Sequence, residues 1–260
     1  MVKTNINGKY ELYLPEHRAI RPEWNINNGG WEYERMESIH EHVRKKDVFY
    51  YIGAEEADLA GLICKWGAGM VLVEPNSKVW PNSKVIWEAN QLQDPLACFV
   101  GFAANKTDLK GTNLTVYGFP ECADGPVIGD HGFKELFAEA DVIPQIKIDD
   151  IVAQTGLVPD HISVDCEGSD WEVLKGAEQT LKEHKPKLWI SIHPEFMFRM
   201  FNQYAYDFRN WIKDLGYNEK ILSPVVCPNR IGYGSHVPLF PTLRSGFNII
   251  PCVELYTDDP

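Results

Sequence analysis

The stretch DVFYYIGAEEADLAGLICKWGAGMVLVEPN, residues 47–76, decides the fold. Residues 48–52 are a short aromatic and β-branched run that stops at Gly53-Ala54, so they predict a strand and a tight turn. Leu59, Leu62, Ile63 and Trp66 then fall at helical spacing on one apolar face. Gly67 and Gly69 end that helix, and residues 70–73 are a second, wholly apolar strand closing on Glu74. Strand, crossover helix and strand make a right-handed βαβ unit of a parallel sheet. Small residues at the first turn admit a ligand to the backbone, and the helix start offers free N–H groups. A carboxylate at the tip of the next strand is placed to grip the hydroxyls of a ribose. The unit therefore predicts a site for a nucleoside-containing cofactor.

Working outward, residues 1–46 read as an N-terminal extension that caps the mouth of the domain. It has a strand over 10–14, a turn over 25–30 and a helix over 32–46 striped with Tyr33, Met36, Ile39 and Val43. Arg44, Lys45 and Lys46 would close that helix, where its dipole favours cations. Residues 47–260 read as one doubly wound α/β domain. Beyond the opening unit the pattern predicts a helix over 75–90 and a buried strand over 97–103. A strand over 114–119, a loop over 123–132, alternation at 146–148 and a short helix over 149–155 follow. The second informative stretch is ISVDCEGSDWEVLKGAEQTLKEHKPKLWISIH, residues 162–193. A strand ends on Asp165-Cys166-Glu167-Gly168, and Ser169 with Glu172 matches a capping box for one helix striped by Trp171, Leu174, Ala177 and Leu181. Pro186 stops it, and a strand over 188–192 delivers His193 to its carboxyl end. A helix over 202–215, a strand near 220–222 and an edge strand over 247–255 complete the pattern.

Composition narrows the function. A chain of 260 residues, 44% hydrophobic and 24% charged, has the make-up of a globular protein with a sizeable core. Its formal charge of −12 argues against a duplex nucleic-acid partner, which needs a basic face. Six cysteines scattered without a C-x-x-C pair suit reduced packing thiols and a cytoplasmic location. No apolar run reaches transmembrane length and residues 1–10 lack a signal-peptide core, so no membrane association is expected.

In doubly wound sheets, ligands collect beyond the carboxyl ends of the strands. The clusters expected there are Gly53-Ala54-Glu55, Glu74-Pro75-Asn76, Ala103-Ala104-Asn105, Asp165-Cys166-Glu167 and His193-Pro194-Glu195. A nicotinamide dehydrogenase is disfavoured, because no G-x-G-x-x-G follows the first strand of the unit.

Ile52-Gly53-Ala54-Glu55, Glu74-Pro75-Asn76, Ile148-Asp149-Asp150-Ile151, Asp165-Cys166-Glu167-Gly168 and Glu172-Val173-Leu174-Lys175-Gly176-Ala177 together form a recognisable series. Over residues 48 to about 216 the chain resembles the FkbM family of S-adenosylmethionine-dependent methyltransferases. That resemblance implies a class I, Rossmann-like, mostly parallel sheet with helices on both faces. It implies a cofactor site of Tyr51, Gly53, Ala54, Glu55, Glu74, Pro75, Asn76, Phe102, Ala103, Ala104 and Asp165. Position at neighbouring strand tips gives an expected acceptor side of His193, Asp165 and Glu167 with no metal. His193 is expected to have the ordinary imidazole pKa that suits a base, with Glu167 and Asp165 as its rivals. The resemblance and the acidic charge together imply O-methylation of a small-molecule or sugar hydroxyl. Tyr51 stands where the family usually has an acidic residue that helps to hold the methionyl amine, Ala57 where it has glycine, and His193 where it often has glutamate. Glu55, Glu56 or Asp58, at the same turn, are the expected replacements for the missing acid. The alternative function is a Rossmann-like binding or assembly module without cofactor chemistry, which Tyr51 and Ala57 favour.

Overall fold

The computed structural model describes residues 1–28, 30–127, 142–226 and 249–257. It opens with an antiparallel hairpin of β1 (Val2–Ile6) and β2 (Tyr10–Leu14), then α1 (Glu16–Ala19) and α2 (Tyr33–His42). The unit read first follows as β3 (Val48–Ile52), α3 (Asp58–Lys65) and β4 (Gly69–Val73). After α4 (Trp80–Ala89) come the short strands β5 (Ala97–Phe99), β6 (Phe102–Ala103), β7 (Thr115–Val116) and β8 (Gln145–Ile146). Next are α5 (Ile148–Thr155), β9 (His161–Val164), α6 (Asp170–Lys175), α7 (Glu178–Glu183) and β10 (Lys187–Ser191). The chain ends with α8 (Pro194–Phe201), α9 (Ala205–Asp214), β11 (Asn218–Val226) and β12 (Ile249–Tyr256).

Eight strands form one sheet in the order β11-β12-β10-β9-β3-β4-β5-β7. The five central strands from β10 to β5 are mutually parallel, and β7 and β12 pair antiparallel to their inner neighbours. Successive side chains of a strand point to opposite faces, so apolar runs buried on both sides feed two cores. Phe49, Tyr51, Met70, Leu72 and Trp189 pack with the hairpin and α2 and α3. Tyr50, Ile52, Val71, Val73, Ile162, Val164, Leu188 and Ile190 pack with α5, α6, α7 and α9. The N-terminal hairpin shares the first of these cores through Leu12 and Leu14.

Several boundaries differ from the sequence expectation, each for a local reason. The helix expected over 32–46 spans Tyr33–His42, because Glu32 is left-handed and Val43 is extended. The Arg44 N–H then donates to the Asp47 carboxylate, which places Arg44, Lys45 and Lys46 beyond the helix end. The helix expected from residue 75 begins at Trp80, since the Glu74 carboxylate accepts the Asn76 N–H and the Asn76 side chain accepts that of Lys78. The run 97–103 is split: Phe102 and Ala104 donate to Pro144 and Ile146, so β6 leaves the main sheet to pair with β8. Only Thr115–Val116 of the run 114–119 is strand, ended by left-handed Tyr117. The capping box is absent: the Ser169 hydroxyl donates to the Cys166 carbonyl, and Glu172 instead meets Asn105, Lys175 and Gln203. The single helix expected after Ser169 is two, α6 and α7, broken at Gly176. The helix expected over 202–215 is Ala205–Asp214, preceded by α8, which the sequence reading omitted. The last strand is interior, between β10 and β11; Pro251 lies one residue past its final pairing with β10, opposite Pro224. Of the expected elements, residues 128–132 and 247–248 and residue 29 lie outside the described residues.

Gly176 has a reason beyond chain reversal. A Cβ there would lie 1.9 Å from the Ala104 carbonyl oxygen, so the α6–α7 junction nests against the segment that follows β6. Gly176→Ala is expected to destabilise the fold by about 2–3 kcal/mol, because backbone rather than a yielding side chain must move. A urea titration checks this: the midpoint should fall with the slope unchanged.

Candidate active site

The carboxyl ends of β3, β4, β9 and β10 lie side by side, and their following turns carry the polar residues. At the β3 turn, the N–H groups of Gly53 and Ala54 both donate to the Val73 carbonyl. Gly53 has φ +79, and a Cβ on it would sit 2.2 Å from the Asp165 carbonyl oxygen. Only glycine lets the turns after β3 and β9 approach so closely. Glu74, buried at the tip of β4, accepts the Glu55 N–H on one oxygen and the Asn76 N–H on the other, each at 2.8 Å. Two backbone donors thus orient this acid beside the first turn, as a ribose-binding carboxylate requires. Pro75 and Asn76 continue from it, and Phe102, Ala103 and Ala104 lie on and just after β6. The donor set fits an adenosyl cofactor: a fixed buried acid, a small-residue turn and adjacent apolar backbone.

Glu55, Glu56 and Asp58 all turn toward the N-terminal segment. Arg18 on α1, itself buried, donates to both oxygens of Glu55 at 3.1 and 3.0 Å and through Nε to Asp58 at 2.7 Å. Glu56 is buried against His17, 2.8 Å from its Nε2. Tyr51 is buried in the first core, and burial pushes its hydroxyl well above the ordinary phenol range. Ala57 holds a left-handed conformation, φ 59, at the place where the resemblance leads one to expect glycine.

The second cluster is centred on His193, which follows β10 and begins α8. Its Nδ1 lies 3.4 Å from Asp170, while its Nε2 lies 3.5 Å from Asp165 and 3.9 Å from Glu167. Asp170 is fully buried and also accepts the Cys166 N–H, which fixes its carboxylate at the Nδ1 edge of the ring. Burial opposes charging of His193, but the hydrogen bond and charge of Asp170, with Asp165 and Glu167 behind it, prevail and lift its pKa to about 9. The ordinary imidazole value expected of a base at this position is therefore corrected upward. In the free protein at neutral pH this residue is an imidazolium.

The residue that links these clusters is not among those expected from the sequence. Arg35, on α2 and buried, donates from Nη1 to Glu32 at 2.8 and 3.0 Å, to Ser191 at 2.9 Å and to Asp165 at 3.4 Å. Its Nη2 donates to Ser163 on β9. Asp165 consequently bridges Arg35 through one oxygen and His193 through the other. The available signal was position: Arg35 precedes Ile39 by four residues and so shares the apolar face of its helix. Among the described residues, no group of three or more His, Cys, Asp and Glu side chains is arranged to hold a metal ion. Cys64, Cys98, Cys122 and Cys166 are free thiols. No described helix is long and apolar enough to cross a membrane.

A mostly parallel sheet flanked by helices, with a fixed acid at the tip of the second parallel strand, defines a class I methyltransferase fold. Residues 47–219, about two thirds of the chain, match the sequence profile described as Methyltransferase FkbM domain. The chain belongs to that family, whose members take their methyl group from S-adenosylmethionine. Among solved structures it is similar to methyltransferase FkbM from Methylobacillus flagellatus KT, at 19% identity and a TM-score of 0.47. That match covers 83% of this chain and 45% of the other, so the chain spans less than half of that protein. It is also similar to an rRNA methylase from Streptococcus thermophilus (8% identity, 92% and 99% of the two chains, TM-score 0.48). A third likeness is to precorrin-6y C5,15-methyltransferase from Geobacter metallireducens GS-15 (10% identity, 86% and 88%, TM-score 0.42). No curated protein matches the sequence.

The His193 cluster ties stability to pH. Its folded pKa of about 9 lies above the ordinary 6.5, so its contribution is fully present below pH 6.5 and is lost as pH rises through 9. The loss is expected to be on the order of 3 kcal/mol. Denaturant titrations at pH 6 and pH 9.5 should show a larger drop in wild type than in His193→Gln.

Proposed function

We propose that this chain methylates a hydroxyl group of a small molecule or sugar. The observation that carries the reading is the convergence of His193, Asp165 and Glu167, within 3.9 Å, on the same sheet edge as Glu74 and the Gly53 turn. S-adenosylmethionine, when bound, supplies an electrophilic methyl group on a sulfonium. The residues expected to hold it are Gly53, Ala54, Glu55, Glu74, Pro75, Asn76, Phe102, Ala103, Ala104 and Asp165, with Tyr51 beneath them as packing. Residues 1–46 act in this reading as a cap, joined to the β3 turn through Arg18. The acceptor side must align the hydroxyl with the methyl group and take up its proton. Asp170 holds the Nδ1 edge of His193, which leaves Nε2 facing Asp165 and Glu167 as the proton-accepting atom. An imidazole with a pKa of about 9 accepts that proton only where the ring is neutral, so the rate should rise with pH. The formal charge of −12 supports a small acceptor over duplex nucleic acid.

Two measurements test the reading. Calorimetric titration should show binding of S-adenosylhomocysteine, weakened at least tenfold by Glu74→Ala; no detectable binding to wild type would sink the cofactor assignment. With a panel of hydroxylated acceptors, kcat/KM should rise along a limb with an inflection near pH 9, and His193→Gln should abolish turnover while leaving cofactor affinity nearly intact. Turnover that survives the substitution would place the base elsewhere.

A further inference from the structure

We propose that Glu32, which lies ahead of the family-matching region, supplies the carboxylate that binds the ammonium of the cofactor's methionyl group, replacing the acid absent at position 51. The assignment rests on the cofactor reading above and deepens it. The residue at position 51 is a tyrosine locked into the core beneath the sheet edge, its ring 6.0 Å from the Arg35 guanidinium. The three acids of the adjacent turn are drawn the other way: Glu55 and Asp58 are held by Arg18, and Glu56 lies against His17.

Glu32 faces the strand tips. Although it occupies the position before α2, its side chain makes no capping bond to that helix. It lies instead beside Arg35 Nη1, 2.8 Å from one oxygen, and 3.5 Å from the Ser191 hydroxyl at the end of β10. Arg35 also donates to Ser163, the residue paired with Tyr51 across β3 and β9, so its guanidinium overlies position 51. A carboxylate at position 51 would have joined this same guanidinium, and Glu32 takes that place from the N-terminal side. Glu32 and Asp165 share one Nη1, two carboxylates on a single guanidinium nitrogen. Around this point four carboxylates, Glu32, Asp165, Glu167 and Asp170, meet two cations, Arg35 and the His193 imidazolium, an excess of negative charge that an ammonium reduces. Burial, with the charge of Asp165 adding to it, raises the Glu32 pKa, while Arg35 and His193 oppose.

The test separates an ammonium ligand from a partner that only holds Arg35 in place. Two probes are titrated calorimetrically: S-adenosylhomocysteine, and 5′-methylthioadenosine, which keeps the adenosine and the sulfur but lacks the amino-acid portion. For Glu32→Gln, S-adenosylhomocysteine should bind at least tenfold more weakly than to wild type, and 5′-methylthioadenosine within twofold. Retained binding of the second probe also reports that the variant is folded. Equal affinity of both chains for S-adenosylhomocysteine, or parallel loss of both probes, would overturn the assignment of Glu32 alone. Absence of binding of either probe to wild type would overturn the cofactor reading, and this assignment with it.

Discussion

The backbone contact between the turns after β3 and β9 is the constraint on which the site depends. Because Gly53 has no Cβ, the Asp165 carbonyl occupies the space a side chain would fill. That approach sets Asp165 over the first turn, and with it the link from Asp165 to His193 on one side and to Arg35 on the other. A bulkier residue at position 53 would force apart the turns after β3 and β9. Glu74 reinforces the same geometry from the other flank by accepting the Glu55 N–H.

Charge is distributed along this edge in an order that net charge conceals. The chain is acidic overall, yet two of the cations nearest the strand tips, Arg18 and Arg35, come from the N-terminal segment and are buried there. Each meets two carboxylates: Glu55 and Asp58 in one case, Glu32 and Asp165 in the other. Breaking such a buried pair from one side leaves an uncompensated charge, which destabilises far more than loss of a surface pair. The segment ahead of the β3 unit is thus bound to the domain electrostatically as well as through the core shared by Leu12 and Leu14.

Most of the sheet was legible from periodicity. Residues 48–52 and 70–73 are apolar and aromatic runs too short for helices, 162–164 is a β-branched pair around Ser163, and each is a central strand. The residues that gather at the strand tips were legible as well, because a doubly wound sheet dictates where strands end and turns begin. What escaped was set by tertiary approach. Gly176 breaks a helix whose local sequence continues the helical pattern, since the reason is a carbonyl that belongs to residue 104. Ser169 reads as a cap, but Asp170 takes the Cys166 N–H and Glu172 is drawn to Asn105 and Lys175. Arg35 reads as a surface charge because its partners, Ser163, Asp165 and Ser191, lie more than a hundred residues along the chain. The elevated pKa of His193 has a similar origin: Asp165 and Glu167 were expected beside it, but the hydrogen bond of the buried Asp170 was not.

The placement of β12 bears on how the molecule is assembled. It is the last described strand in the chain, yet it lies inside the sheet, between β10 and β11. During synthesis β10 must therefore wait, its outer row of N–H and C=O groups unpaired, until residues 249–256 have emerged. Direct pairing of β10 with β11, which emerges earlier, would block the native arrangement. An unpaired strand edge invites association with other chains, and contacts between segments far apart in sequence form slowly. The β10 margin, next to His193, is consequently exposed during folding for longer than the edge of β4, whose partner β5 already begins at Ala97.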